Sequence, residues 1–344
     1  MREIKFALLG FGGIAQSHKH GYDILTNEGF PIKLVAICDI DEKQFHAKQE
    51  INLGASVRSD LEGINLYTDL DEMLEKEDFD VVDICLPSYM HKEYAIKLMR
   101  AGKHVQSEKP MSLSYADCQE MLAVADECDK KLMIGQCLHF EAGYEYLKKC
   151  IDEGTFGKLR TLSFERLGGL PDWGFELWYQ DINKSGGCPF DLHIHDVDMA
   201  NYLLGLPKTV SSVAQTAQMP LQYVNTRMTY DDGALVFATA SWDEASNTGF
   251  RMAYRARFEK ASLIYNGGSV KVCRDDGTEP YEAEGTRSGE RKDRMAEEIR
   301  AIALAVGDPD FVNTVNDPRC AAGSIYLTEK IIESARKNGE TVVL

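Results

Sequence analysis

The feature that most constrains this chain is a junction of strand, glycine-rich turn and helix near its start. An apolar run at Ile4–Leu9 leads into Gly10-Phe11-Gly12-Gly13-Ile14-Ala15, and residues 13–27 then carry helical spacing. Gly10 permits the tight turn, Gly12 lets the main chain approach a pyrophosphate, and Ala15 allows close packing of helix on sheet. The helix start offers unpaired N–H groups and the positive end of its dipole to an anion. Phe11, Gly13 and Ile14 complete the loop that would face the phosphates. A plain strand–helix connection can use the same residues, so the turn gains meaning from the strand that succeeds its helix. Residues 33–38 form this second β-branched apolar segment, which ends at Asp39. A carboxylate there can accept hydrogen bonds from both ribose hydroxyls of an adenosine. It repels a 2′-phosphate, and Cys38-Asp39-Ile40-Asp41-Glu42 contains no Arg to receive one, so NAD is preferred over NADP. Asp41 reads as the N-cap of the next helix.

The first third of the chain continues this alternation. Residues 81–86 are apolar and stop at Pro87; residues 91–101 look helical and stop at Gly102; residues 104–107 are extended. A helix follows at 114–130, with Ser114 as N-cap and Asp117 in its first turn, then an extended stretch at 131–135. Residues 41–53 are polar with helical spacing. Strands apolar on both faces, separated by helices, imply a parallel sheet covered on both sides. After residue 135 the texture changes. Helices are expected at 142–153, 191–204, 294–306 and 318–337, and strands at 158–166, 209–218, 234–242, 251–265 and 269–274. The expected fold is α/β: an N-terminal Rossmann domain with a doubly wound parallel sheet (residues 1–134), and a C-terminal α/β domain with a large, mostly antiparallel open sheet (residues 135–344) for substrate binding and oligomerisation.

Charge narrows the partners. The 344 residues include 55 acidic and 38 basic side chains, a net charge of −17. Nucleic acid and anionic membranes are bound largely through Lys and Arg, so neither is expected. A pyrophosphate held by backbone N–H groups is not excluded, because whole-chain charge does not count those donors. The apolar stretch before Gly10 is too short for a signal-peptide core, and no run approaches the length of a membrane span. Nine cysteines without a C-x-x-C pair suit reduced thiols and a cytoplasmic location.

Two constellations carry candidate chemistry. Glu108-Lys109-Pro110 follows a predicted parallel strand, where open α/β sheets bind ligands. Lys109, stiffened by Pro110, can point into that crevice, although the isolated tripeptide reads more readily as a solvated charge pair on a loop. Farther on stands Asp191-Leu-His193-Ile-His195. On a helix, Asp191 and His195 share one face, and a carboxylate beside an imidazole is an acid–base arrangement. His193 points elsewhere and stands as either a packing histidine or a substrate contact. The apolar pattern after it is helical, not the alternation that would place His193 and His195 side by side, so no metal is expected. Trp173, Trp178 and Tyr179 could stack on a sugar face or pack in the core.

Taken together, these residues resemble the glucose–fructose oxidoreductase / inositol dehydrogenase / rhizopine-catabolism (Gfo/Idh/MocA) family over nearly the whole chain. The resemblance is carried by Gly10 to Ala15, Ile37-Cys38-Asp39, Leu86-Pro87-Ser88 with His91, and Glu108-Lys109-Pro110. It continues in Gly154-Thr-Phe-Gly157, Trp178 with Ser185-Gly-Gly187, Asp191 to His195 with Asp198, and Leu203-Leu-Gly205. It implies an NAD(P)-dependent dehydrogenase acting on CH–OH groups of a sugar, cyclitol or small polyol, assembled as a dimer or tetramer. It further implies that Lys109, Asp191 and His195 are catalytic and that Pro87, Ser88, His91 and Glu108 lie at the cofactor cleft. Two departures stand out. His139 occupies a place where many members carry Arg, and Cys188 and His193 replace small residues; Trp178, His193 and His139 are therefore candidate substrate contacts. Two other functions are compatible with such a fold: an NAD-using glycosidase with no net redox change, and a non-catalytic sensor of NAD or sugar.

Overall fold

The computed structural model describes residues 1–46, 60–287 and 289–344. They form two compact units. One comprises Met1–Cys137, Gly174–Glu176 and Asp293–Ala321; the other comprises Leu138–Trp173, Leu177–Lys292 and Ala322–Leu344. The sequence groups all of 135–344 together, whereas Asp293–Ala321 falls with the first unit.

The first unit opens with β1 (Ile4–Leu9), α1 (Gly13–Asn27), β2 (Ile32–Cys38), β3 (Asn65–Tyr67) and α2 (Leu70–Lys76). It continues through β4 (Val81–Ile84), α3 (His91–Arg100), β5 (His104–Glu108), α4 (Tyr115–Glu127) and β6 (Leu132–Gly135). Among the described residues the six strands are all parallel, in the order β3-β2-β1-β4-β5-β6. The order reverses between β1 and β4, which leaves a crevice at their carboxyl ends. Every residue of β4 is buried, as a strand covered on both faces requires. The helix expected at 41–53 begins instead as a 3-10 turn, Glu42–His46, whose entry Asp41 caps by accepting the Lys43 N–H; residues 47–53 lie outside the described residues. Ser114 caps α4 as expected, accepting the Asp117 N–H at 3.2 Å.

The second unit contains α5 (Ala142–Asp152), β7 (Leu159–Leu167), the short α6 (Ile182–Ser185), a π-helical turn at Pro189–His193 and α7 (Ile194–Leu204). Then follow β8 (Thr209–Gln215), β9 (Tyr223–Thr229), β10 (Leu235–Ser241), β11 (Arg251–Phe258), β12 (Ala261–Tyr265), β13 (Lys271–Arg274) and β14 (Tyr281–Glu282). Helix α8 (Arg294–Gly307) belongs to the first unit, α9 (Pro318–Arg336) follows it, and β15 (Val342–Val343) closes the second sheet. Nine described strands run in the order β14-β13-β12-β11-β7-β10-β9-β8-β15, antiparallel except for β7 with β10. The stretch 251–265, read from sequence as one strand, is two strands joined by Glu259-Lys260, a turn without Gly or Pro to announce it. On β11, Tyr254, Ala256 and Phe258 face inward and pack with Tyr144 and Leu147 of α5 and Val197 and Leu203 of α7. Arg251 and Arg255 stand exposed on the opposite face, as period-2 alternation dictates.

Candidate functional site

The glycine turn is built as its sequence demands. Gly10 has φ of 86°, and its N–H donates to the Cys38 carbonyl at 2.8 Å. A Cβ at Gly10 would stand 2.8 Å from the Cys85 carbonyl oxygen, so the turn sits directly against the end of β4. Gly12 is the N-cap of α1, and a Cβ there would meet no described atom within 4 Å. No protein packing demands glycine at that position; the space before the helix start is open, which fits an approaching phosphate. Phe11 has a buried ring, and its N–H donates to Asp39 Oδ2 at 2.7 Å while the Asp41 N–H donates to Oδ1 at 2.9 Å. The Asp39 carboxylate is thus pinned beside the turn, half-buried. Burial pushes its pKa up against the two N–H donors that favour the anion. With the Phe11 N–H committed to Asp39, the half-exposed Gly12, Gly13 and Ile14 form the open mouth. These residues fit a dinucleotide's pyrophosphate and ribose.

Strand β5 delivers the Glu108-Lys109-Pro110 turn, whose Lys109–Pro110 bond is cis. Along residues 105–112 every residue is buried except Lys109. The Glu108 carboxylate accepts the Lys109 main-chain N–H at 3.0 Å and stands 2.9 Å from His18 Nε2. Burial raises its pKa, but the His18 hydrogen bond and the charges of His18 and Lys109 outweigh this and hold it below the usual value. His91, expected at the cofactor cleft, is only 1% exposed. Its ring nitrogens stand 2.7 Å from the Pro110 carbonyl and 2.8 Å from that of Leu86, so the ring staples two strand-end turns together. Burial lowers its pKa. Ser88 is also buried, while Pro87 is half-exposed.

In the second unit the Ser185-Gly186-Gly187 turn sets the entry to the π turn. Gly186 has φ of 73°, and a Cβ there would lie 2.5 Å from the Phe190 Cβ. The Ser185 hydroxyl accepts the Gly187 N–H and donates to the Tyr179 carbonyl. The sequence suggests a plain helix from Asp191; the structure places Asp191 in a wider π turn, a feature frequent at functional sites. Along residues 187–201 every residue is buried except Asp191 and His195. The buried polar groups that follow them are spent on the core. Asp196 makes a two-point ion pair with Arg166 at 2.8 and 3.1 Å. Asp198 takes His139 Nε2 at 2.7 Å and the Ser324 hydroxyl at 2.8 Å.

Two of the candidate substrate contacts are thereby relocated. His139 is 4% exposed and stacked on Tyr202 at 3.9 Å. His193 is fully buried with Nε2 on the Thr226 hydroxyl, and burial lowers its pKa to about 3. Trp178 remains half-exposed and stacks on Tyr179 at 4.0 Å.

Sequence reasoning missed a buried network in the first unit. His18 Nδ1 stands 2.8 Å from Asp83 Oδ2, which also accepts the Tyr22 hydroxyl at 3.0 Å. Gln106 donates to Glu298 of α8 at 2.8 Å. A signal was present: an aspartate inside the apolar run Val-Val-Asp-Ile must be paired if the strand is covered on both faces.

A doubly wound sheet with an open glycine turn and an acidic second-strand end defines a dinucleotide-binding fold, here in the same chain as a large open sheet. The chain belongs to the Gfo/Idh/MocA oxidoreductase family. Residues 4–136 match that family's NAD-binding Rossmann fold, and residues 144–264 match its C-terminal domain. It is 32% identical over 212 residues to a 2,7-anhydro-N-acetylneuraminate hydratase of Mediterraneibacter gnavus, covering 61% of this chain and 52% of the hydratase. It is 30% identical over 268 residues to an inositol 2-dehydrogenase of Rhizobium meliloti, covering 78% and 74%. The chain thus spans about half the length of that hydratase and three quarters of the inositol dehydrogenase. A levoglucosan dehydrogenase solved with NADH and levoglucosan shares the fold, with a TM-score of 0.84 at 18% identity over 99% of both chains. Among the described residues no helix is long and apolar enough to cross a membrane.

Proposed function

We propose that this protein is an NAD-linked oxidoreductase acting at a hydroxyl-bearing carbon of a sugar, cyclitol or related small polyol. The observation that carries the reading is selective exposure: in two buried stretches, only Lys109, Asp191 and His195 reach solvent. Hiding every neighbour while presenting an ammonium, a carboxylate and an imidazole is the economy of a reaction site. A bound nicotinamide supplies the hydride acceptor or donor. His195 takes the hydroxyl proton during oxidation. Lys109 donates to the same oxygen and stabilises its developing negative charge. Asp191 positions the substrate or His195. Gly12, Gly13 and Ile14 seat the pyrophosphate and Asp39 the ribose, favouring NAD over NADP. Similarity to sugar and cyclitol dehydrogenases supports the substrate class. The free cysteines suit a cytoplasmic enzyme, and the outer face of the nine-stranded sheet suits a homo-oligomer contact that light scattering would test.

The test is a panel of polyols and sugars with NAD, followed at the NADH absorbance, with wild-type protein and Lys109→Ala. The variant should lose at least about 100-fold in turnover and bind NADH within a few-fold of wild type. Unchanged turnover in the variant sinks the assignment. A second reading is favoured by the similarity to hydratases: the same residues could serve a redox-neutral reaction. Product formed without net NADH, and without added NAD, would select it.

A further inference from the structure

Six residues beyond the N-cap of α1, His18 sits in the middle of the first unit with both ring nitrogens facing carboxylates. Nδ1 is 2.8 Å from Asp83 Oδ2 and Nε2 is 2.9 Å from Glu108 Oε1. His18 and Asp83 are 0% exposed and Glu108 7%. A neutral imidazole has one N–H, so one of these contacts would set a ring lone pair against a carboxylate lone pair. The imidazolium donates to both, and the charges then balance better than two bare carboxylates would. The same pattern accounts for the trio His18, Asp83 and Cys85, whose ligand-type atoms lie close together. Each His18 nitrogen already has a carboxylate, and burial pushes the Cys85 thiol up to about 12, leaving it neutral. The remaining ionisable neighbours are Tyr22 on the same helix and Glu298 on α8. Burial is the largest single influence and opposes charge on His18, but Asp83 and Cys85 together outweigh it and hold the imidazole well above its usual range.

The other end of the chain of contacts reaches the reaction site. Glu108 uses its second oxygen to accept the Lys109 main-chain N–H at 3.0 Å. Helix α1, whose first turn seats the phosphates, is thereby tied by a single side chain to the turn that carries Lys109. We propose that His18 is a positioning residue: as a doubly donating imidazolium it holds Glu108, and through Glu108 it fixes where Lys109 stands. This rests on the reading of Lys109 as a reacting group, but its test does not need turnover.

The full-length protein, labelled with 15N in histidine, is followed by long-range 1H–15N spectroscopy across the neutral range. His18 is assigned through its own backbone. Both ring nitrogens of His18 should stay protonated above neutrality; a single protonated nitrogen at neutral pH overturns the proposal. In a second measurement the lysines are 13C-methylated and the Lys109 signal is assigned with Lys109→Arg. It should move by more than its linewidth in His18→Gln and stay in place in His20→Gln, a change at an exposed position on the same helix. An unmoved Lys109 signal in folded His18→Gln, or an equal shift in His20→Gln, refutes the coupling. If His18→Gln does not fold, the wild-type ring spectrum decides alone.

Discussion

Glu298 is the side chain whose replacement should say most about the first unit's interior. It projects from α8 into full burial, and burial lifts its pKa from 4.5 to about 8. Oε1 accepts from Gln106, while Oε2 has no hydrogen-bond partner; Asp83 Oδ1 and Gln106 Oε1 likewise lack one. The buried carboxyl therefore keeps its proton where an unfolded chain would have released it. The sign follows from linkage: stability is fully present below pH 4.5 and is lost as pH rises toward about 8. At about 1.4 kcal/mol per pH unit that span has a ceiling of roughly 5 kcal/mol, and relaxation of the site brings the expectation to about 2–5 kcal/mol. Glu298→Gln keeps the acceptor for Gln106 and replaces the titrating oxygen with a neutral donor among acceptors that lack one. The variant should match wild type near about pH 5 and exceed it by roughly 3–7 °C in thermal midpoint above about pH 8. Calorimetry of both full-length proteins at several pH values is the assay. Parallel pH dependence in the two would refute the reasoning, because it would mean that Glu298 ionises in the folded protein as it does unfolded.

Other outcomes rest on single contacts. Asp39→Ala should weaken NADH binding about tenfold or more and narrow the preference over NADPH, read by fluorescence titration with each. Asp196→Asn leaves the buried Arg166 charge without its two-point partner and should cost about 3–5 kcal/mol, visible as a lower thermal midpoint. Gly10→Ala adds a Cβ 2.8 Å from the Cys85 carbonyl at a φ of 86°; NADH affinity should fall together with stability by about 1–3 kcal/mol.

The first unit is largely legible in the sequence because β1, β2, β4 and β6 are mostly apolar runs that declare themselves, while the polar β5 is marked by its place between the Gly102 helix stop and the Glu108-Lys109-Pro110 turn. β3 does not: Asn65 and Leu66 are exposed on an edge strand, and no apolar run marks them. In the second unit β9 escapes notice, since Tyr-Val-Asn-Thr-Arg-Met-Thr buries only alternate residues, and the Glu259-Lys260 turn carries no turn chemistry. For the site, residue type is a weaker guide than direction. Asp39 and Lys109 can be placed because each ends a strand at the carboxyl edge of a parallel sheet. Which way His139 and His193 point depends on partners far away in sequence, and His91 answers to the carbonyls of two turns; all three turn inward. Asp191 and His195 are accessible together, yet through a π turn that helical spacing does not foretell.

The assignment of α8 to the first unit has a bearing on how the protein is made. A ribosome releases Met1–Cys137 long before it reaches residue 294, so the parallel sheet emerges without the helix that supplies Glu298. Gly21 lacks a Cβ because Ala296 of that helix lies against it, with 2.9 Å between the Ala296 nitrogen and any Cβ placed there. Until strands β7 to β14 have been synthesised, that face of α1 lacks the helix that packs on it. The N-terminal unit is the first to be translated and among the last to be completed, and a fragment cut after residue 137 is an unfinished body rather than a smaller domain.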